Sequence, residues 1–180
     1  MLDIEVFIAE CRAALSEPTP VLAVRELVER IVSRPDDLVE ALPHDNGVTV
    51  LARDPNLTVL GVVIPGGLPK KLSVPHDHLM WAVVGIYGGQ EDNQFFRRDG
   101  DTLAETGGRS LTPRDALAMG DDTVHSIHNP LEHSALAAIH VYGGDLLGAA
   151  RSMWPDPGRI EQPYDDEKVV GRGGFKQRGG

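Results

Sequence analysis

The chain is short of cysteine, of net positive charge and of long apolar runs. Cys11 is the lone cysteine, so no disulfide can form within the chain. It falls in a helical pattern, where a packed thiol is the expected role. Seventeen basic residues stand against twenty-seven acidic ones, a formal net charge of -10. That balance argues against nucleic acid as a partner, because phosphate binding needs a basic face. No run of residues is apolar and long enough to span a bilayer, so no membrane partner is expected. Asp3, Glu5 and Glu10 stand where a secretory leader would carry a basic region and an apolar core, so none is expected. A cytoplasmic location is the expectation from these absences. There is also no repeat period and nothing resembling a DNA-reading helix-turn-helix.

What is present is a chain of 180 residues, 41% hydrophobic and 24% charged, enough for one domain with a substantial core. The first quarter reads as helical. Leu2, Val6, Ile8, Ala9, Ala13 and Leu15 have roughly helical spacing, and Ser16-Glu17-Pro18 closes that helix. Thr19 and Pro20 open a second, whose stripe of Val21, Val24, Leu27, Val28 and Ile31 is opposed by Arg25, Glu26, Glu29 and Arg30. A third short helix is expected over 35–42, with Asp36 and Asp37 favoured at its positive end.

After the turn at 43–47 the character changes. Short β-branched runs separated by Gly, Pro, Asp and Asn predict strands over 48–52, 57–64, 71–74, 78–87, 93–98, 102–106, 109–111, 123–127 and 136–142. Strands this numerous, with no helical pattern between them, predict an antiparallel sandwich or barrel. The chain divides into a helical segment over 1–45 packed on a barrel over 46–146, followed by an irregular extension over 147–180. The tail over 171–180 is basic and rich in glycine, and is expected to be mobile or held by a partner subunit in a homodimer.

Three stretches carry the chemistry. In Pro75-His76-Asp77-His78 strand alternation sends both imidazoles to one face with Asp77 opposed, an arrangement that suits a divalent metal if further ligands join. His125 and His128 differ by an odd number, so a regular strand sends only one of them to the same place. Ala138, His140 and Tyr142 share a face, which sets an acid–base group beside a phenol; on spacing alone His140 is equally a core histidine bonded to a carbonyl.

These stretches together resemble the two motifs of the cupins: HxH at a strand start, a strand ended by glycines, and late histidines on other strands. The resemblance implies a mainly β fold, a double-stranded β-helix (the jelly-roll cupin barrel) with the N-terminal α-helices on its outside. Many cupins supply a glutamate a few residues after HxH; here Met80, Trp81, Ala82 and Val83 occupy those positions. The all-histidine set in PHDH, HSIHN and IHVYGGD resembles the cysteine dioxygenase branch, the thiol dioxygenases, over about residues 49–146. The resemblance implies His76, His78 and His125 as metal ligands, His140 and Tyr142 as catalytic partners beside the metal, and Arg53 as the group that binds a substrate carboxylate. Arg97 and Arg98 compete for that last role. Ala138 stands where that family's Ser-His-Tyr relay has its serine, and Ala82 about where its mammalian members carry a crosslinking cysteine.

The implied cofactor is Fe(II), with Zn, Mn or Ni as alternatives that residue types do not separate, since a three-histidine site with open positions is also a hydrolytic zinc arrangement. The implied reaction is oxidation of a small thiol to a sulfinate by O2. The alternatives are another metal-dependent cupin enzyme (a hydrolase, an isomerase or a non-thiol dioxygenase) or a non-catalytic cupin that binds a small molecule.

Overall fold

The computed structural model describes residues 2–67, 73–156, 159–171 and 174–178. In chain order the elements are α1 (Ile4–Ala14), α2 (Pro20–Val32), α3 (Pro35–Ala41), β1 (Gly47–Asp54), β2 (Leu57–Ile64), β3 (His76–Asp77), β4 (Ala82–Gly88), β5 (Glu91–Asp99), β6 (Thr102–Leu111), β7 (Ala116–Met119), β8 (Val124–His128), β9 (Leu136–Tyr142), β10 (Ser152–Met153), β11 (Gln162–Pro163), α4 (Asp166–Val169) and β12 (Phe175–Gln177). The strands form two six-stranded sheets, ordered β12-β1-β2-β9-β4-β7 and β11-β10-β3-β8-β5-β6. Every pairing is antiparallel except β1 with β12. From β2 to β5 and again from β6 to β10 successive strands alternate between the sheets, the winding of a double-stranded β-helix. No helix among the described residues is long and apolar enough to cross a membrane.

Period-2 alternation decides which side chains enter the barrel. On β4, Ala82, Val84 and Ile86 belong to the inner cluster, while Val83 and Tyr87 pack outward with the helices. On β9, Ala138 and Tyr142 face in, while Ile139 and Val141 face out. The outward residues meet the buried stripes of α1 (Phe7, Ile8, Cys11) and α2 (Val24, Val28, Ile31, Val32). Each such Val, Ile or Phe, once buried, contributes about 1.5–3 kcal/mol. Gly85 permits the closest approach, because a Cβ there would overlap the side chains of Val28 and Val32. Asp3 caps α1 by accepting from the N–H groups of Glu5 and Val6; Thr19 precedes α2 without a side-chain cap.

The structure departs from the sequence expectation in several places, among them the unexpected β7 and α4. The run over 78–87 is not one strand: Leu79 turns the chain at φ 59, and residues 78–81 separate β3 from β4. His76 therefore lies on one sheet, His78 just past the end of its strand, and the apolar run after them on the other sheet. The strands expected over 102–106 and 109–111 are one long β6, which continues through Gly107 and Gly108. Of the strand expected over 71–74, residues 71 and 72 lie outside the described residues, and Ser73 and Val74 are not in a strand. The C-terminal extension is built into the barrel: Met153 of β10 pairs with His76, and β12 runs beside β1 with Phe175 opposite Val48. The expected mobile or partner-held tail is thus an edge strand of this same chain over 175–177; residues 172, 173, 179 and 180 lie outside the described residues.

Candidate metal centre

β3 lies beside β8 with His76 directly opposite His125, so two imidazoles from neighbouring strands project into the barrel together. His78 follows β3 at the turn made by Leu79 and joins them from the side. One ring nitrogen from each of His76, His78 and His125 lies within 4.8 Å of the other two, and all three residues are buried. The Nε2 atoms of His78 and His125 are 3.2 Å apart. Asp77 faces away, where it accepts from the guanidinium of Arg98 and from the Ser152 N–H and so pins β10 to β3.

Two of the three rings are oriented by hydrogen bonds on their far side. His76 Nδ1 donates to the Val74 carbonyl at 2.9 Å, and His125 Nδ1 donates to Asn93 Oδ1 at 2.8 Å. Both bonds leave the Nε2 lone pair turned inward, as metal-ligating histidines require. His78 Nδ1 is buried without a hydrogen-bond partner. Burial pushes the His76 imidazole down to about 4, against the Val74 hydrogen bond, which raises it, and with the Arg151 charge adding to the fall. His78 and His125 are held well below the usual histidine range, chiefly by burial and then by their histidine neighbours. The cluster is therefore a set of neutral imidazoles near pH 7. Ligand bonds of roughly 2.0–2.1 Å would bring paired nitrogens about 2.8–3.4 Å apart at octahedral to tetrahedral angles, a range that contains the His78–His125 spacing. The donor set fits a divalent first-row transition metal.

The cluster opens on a cavity of about 420 Å³. Val48, Leu60, Val62, Leu146 and Phe175 supply apolar wall, and His140, Tyr142, Arg151 and Tyr164 supply polar groups. His140 Nδ1 lies 3.1 Å from the Tyr142 hydroxyl, and the Tyr142 ring stands edge-on to His78 with centroids 5.0 Å apart. Burial raises the Tyr142 phenol far above its ordinary range, so it stays protonated. The expected pair is thus in place beside the histidine cluster. Ala138 shares their face without offering a polar atom.

Arg53 is not in the cavity. It lies at the surface in a bidentate pair with Asp145, at 2.7 and 3.0 Å. Arg97 is exposed, and Arg98 is held by Asp77 and by the face of Trp154. The guanidinium that lines the cavity belongs to Arg151, only 5% exposed, stacked 3.6 Å over the Tyr164 ring and with Nε unpaired. His128, expected to face away, borders the cavity from the end of β8 but is not part of the histidine cluster.

Arg151, Glu91 and Asn93 join the site without being expected there. Arg151 sits in the irregular Ala149-Ala150-Arg151-Ser152 segment, where no periodicity assigns a face. Glu91 and Asn93 had a signal: two polar residues at alternate positions in a strand, both turned inward and buried.

No family model matches the chain. Among solved structures it is similar to the DMSP lyase DddQ from Ruegeria pomeroyi DSS-3, at 20% identity over 54% of this chain and 43% of that one, with a TM-score of 0.41. It is similar to an RmlC-like cupin family protein with a double-stranded β-helix fold from Methanocaldococcus jannaschii, at 14% identity over 59% and 89% of the two chains, with a TM-score of 0.44. It is also similar to a mutant of the oxalate decarboxylase OxdC from Bacillus subtilis, at 16% identity over 60% and 29%, with a TM-score of 0.42. The chain spans less than half the length of the lyase and of the decarboxylase. The double-stranded β-helix itself stands on this chain's own strand order.

Proposed function

We propose that the protein is a mononuclear metal enzyme, resembling the thiol dioxygenases, that oxidises the sulfur of a small carboxylate-bearing thiol to a sulfinate with O2. The observation that carries the reading is the meeting in one cavity of three inward-turned imidazoles, the His140–Tyr142 pair and the Arg151 guanidinium. His76, His78 and His125 would hold the metal. Bound Fe(II) supplies a Lewis-acidic, redox-active centre with coordination positions to spare for thiol and dioxygen. The overall step balances without an external reductant, since a thiolate and one O2 give the sulfinate with both oxygens on sulfur.

The chain's own residues supply the rest. Arg151 is a buried cation with donors left over after stacking on Tyr164, so it attracts the carboxylate end of a substrate and fixes its distance from the histidines. Tyr142 and His140 share a hydrogen bond, and the phenol edge lies against a ligand ring, within reach of a reacting group in the cavity. The apolar wall strengthens each of these charge interactions by excluding water. A cavity of about 420 Å³ suits a molecule of a few heavy atoms up to drug size.

The test is oxygen uptake by Fe(II)-loaded protein across a panel of thiols with and without a carboxylate. Uptake that depends on thiol and favours the carboxylates is expected. Absence of thiol-dependent uptake, or turnover that follows zinc content and survives without oxygen, would overturn the assignment.

A further inference from the structure

Glu91 is a buried carboxylate, 0% exposed, at the start of β5, and the reading above gives it no part. Its Oε1 accepts from Asn93 Nδ2 at 2.9 Å. Its Oε2 lies 3.5 Å from His140 Nε2, in ion-pair range but not aligned as a hydrogen bond, and both atoms are buried with no other partner. Two complementary polar atoms left in that position satisfy one another at little cost of movement, whereas leaving both unpaired forfeits their solvation with nothing in return.

The geometry points to Glu91 as a positioning residue that, from one buried carboxylate, sets the ring tautomers of both His125 and His140. The inference rests on the reading of His125 as a metal ligand. It follows from what each group can donate. Glu91 Oε1 accepts from the Asn93 NH2, which turns the amide oxygen toward His125. That oxygen accepts the His125 Nδ1 proton and leaves Nε2 as the ligand atom. On the other side Glu91 favours the proton of His140 on Nε2, so Nδ1 carries a lone pair and accepts from the Tyr142 hydroxyl. The Tyr142 oxygen then offers its remaining lone pairs to the cavity. Ala138 on β9 has no polar atom to do this, and the third group comes instead from β5, in the facing sheet.

The experiment uses the full chain loaded with Zn(II), which is diamagnetic, and reads histidine tautomers from long-range nitrogen–proton NMR spectra. In the native protein His125 is expected as the Nδ1–H form and His140 as the Nε2–H form; a proton on His140 Nδ1 would overturn the inference without any variant. In Glu91→Gln the side chain can donate as well as accept, so His140 should lose its single tautomer. Zn(II) affinity should fall about tenfold or more through the freed Asn93 amide. Glu91→Asp, which keeps the acceptor-only chemistry, should recover part of that loss. Unchanged tautomers and unchanged Zn(II) affinity in Glu91→Gln would refute the role. None of these readouts uses turnover, so a native protein that binds Zn(II) with these tautomers but consumes no oxygen with any thiol sinks the proposed activity alone.

Discussion

Asn93 Oδ1 accepts the Nδ1 proton of His125 at 2.8 Å, and this one contact turns the other nitrogen of the ring toward His78, 3.2 Å away. That spacing serves an N–H···N hydrogen bond in the metal-free chain and, with the proton gone, a cation shared by the two rings. His76→Ala, His78→Ala and His125→Ala should therefore each reduce metal content to a small fraction of wild type, measured by elemental analysis. His128→Ala should retain it, because His128 borders the cavity outside the cluster. Metal loss in His128→Ala with retention in His125→Ala would contradict the assignment of β8.

Tyr142→Phe removes one hydroxyl and keeps the packing of a ring that stands against His78. Metal should stay bound while turnover falls about tenfold or more, the scale for groups that act beside a metal rather than on it. His140→Gln should behave alike, and the double variant should be little worse than either single one if the pair acts as a unit. A metal-replete Tyr142→Phe protein at full rate would reduce Tyr142 to a filler of the barrel core.

Arg151 and Arg53 separate cleanly. Arg151→Ala should raise KM for carboxylate-bearing thiols about tenfold or more, as loss of a charge-assisted hydrogen bond does, and should leave KM for thiols without a carboxylate nearly unchanged. Arg53→Ala should not change KM for either, since Arg53 is spent on Asp145 at the surface. The reverse pattern would restore Arg53 to the substrate role.

The metal-free protein should lose stability on mild acidification. His76 titrates at about 4 when folded, against roughly 6.5 when unfolded. Between those values the unfolded chain binds more protons, so stability declines as pH falls from about 6.5 toward 4 and recovers as pH rises. His78 and His125, pushed down further, extend the decline to lower pH. Denaturant midpoints across that range check it. A flat profile in the native protein, or the same slope in His76→Ala, would contradict burial of neutral His76.

The three N-terminal helices and most of the longer strands were legible because their patterns are strong: β2 and β9 lie where their β-branched runs put them, and α2 begins at Pro20. Less legible was anything that depended on a single backbone angle or on composition foreign to strands. Leu79 takes a positive φ without glycine, so nothing announced the break that moves His78 off the following strand. β7 is Ala-Leu-Ala-Met, residues of helical preference made into a strand by its pairing with β4. The candidate site followed the same rule. Histidines at strand spacing could be placed, whereas Arg151 enters the cavity from a segment with no period, and Glu91 matters through Asn93 and His140, contacts that only the folded chain brings together.

The central claim, oxidation of thiol sulfur at the three-histidine centre, is tested most directly by where the product's oxygens come from. Fe(II)-loaded protein is given a carboxylate-bearing thiol under isotopically labelled dioxygen in ordinary water, and the product is read by mass spectrometry. The account predicts a sulfinate carrying both labelled oxygens, formed by wild type and not by His125→Ala. A product with oxygen drawn from water, or no sulfinate at all from metal-replete protein, would contradict it.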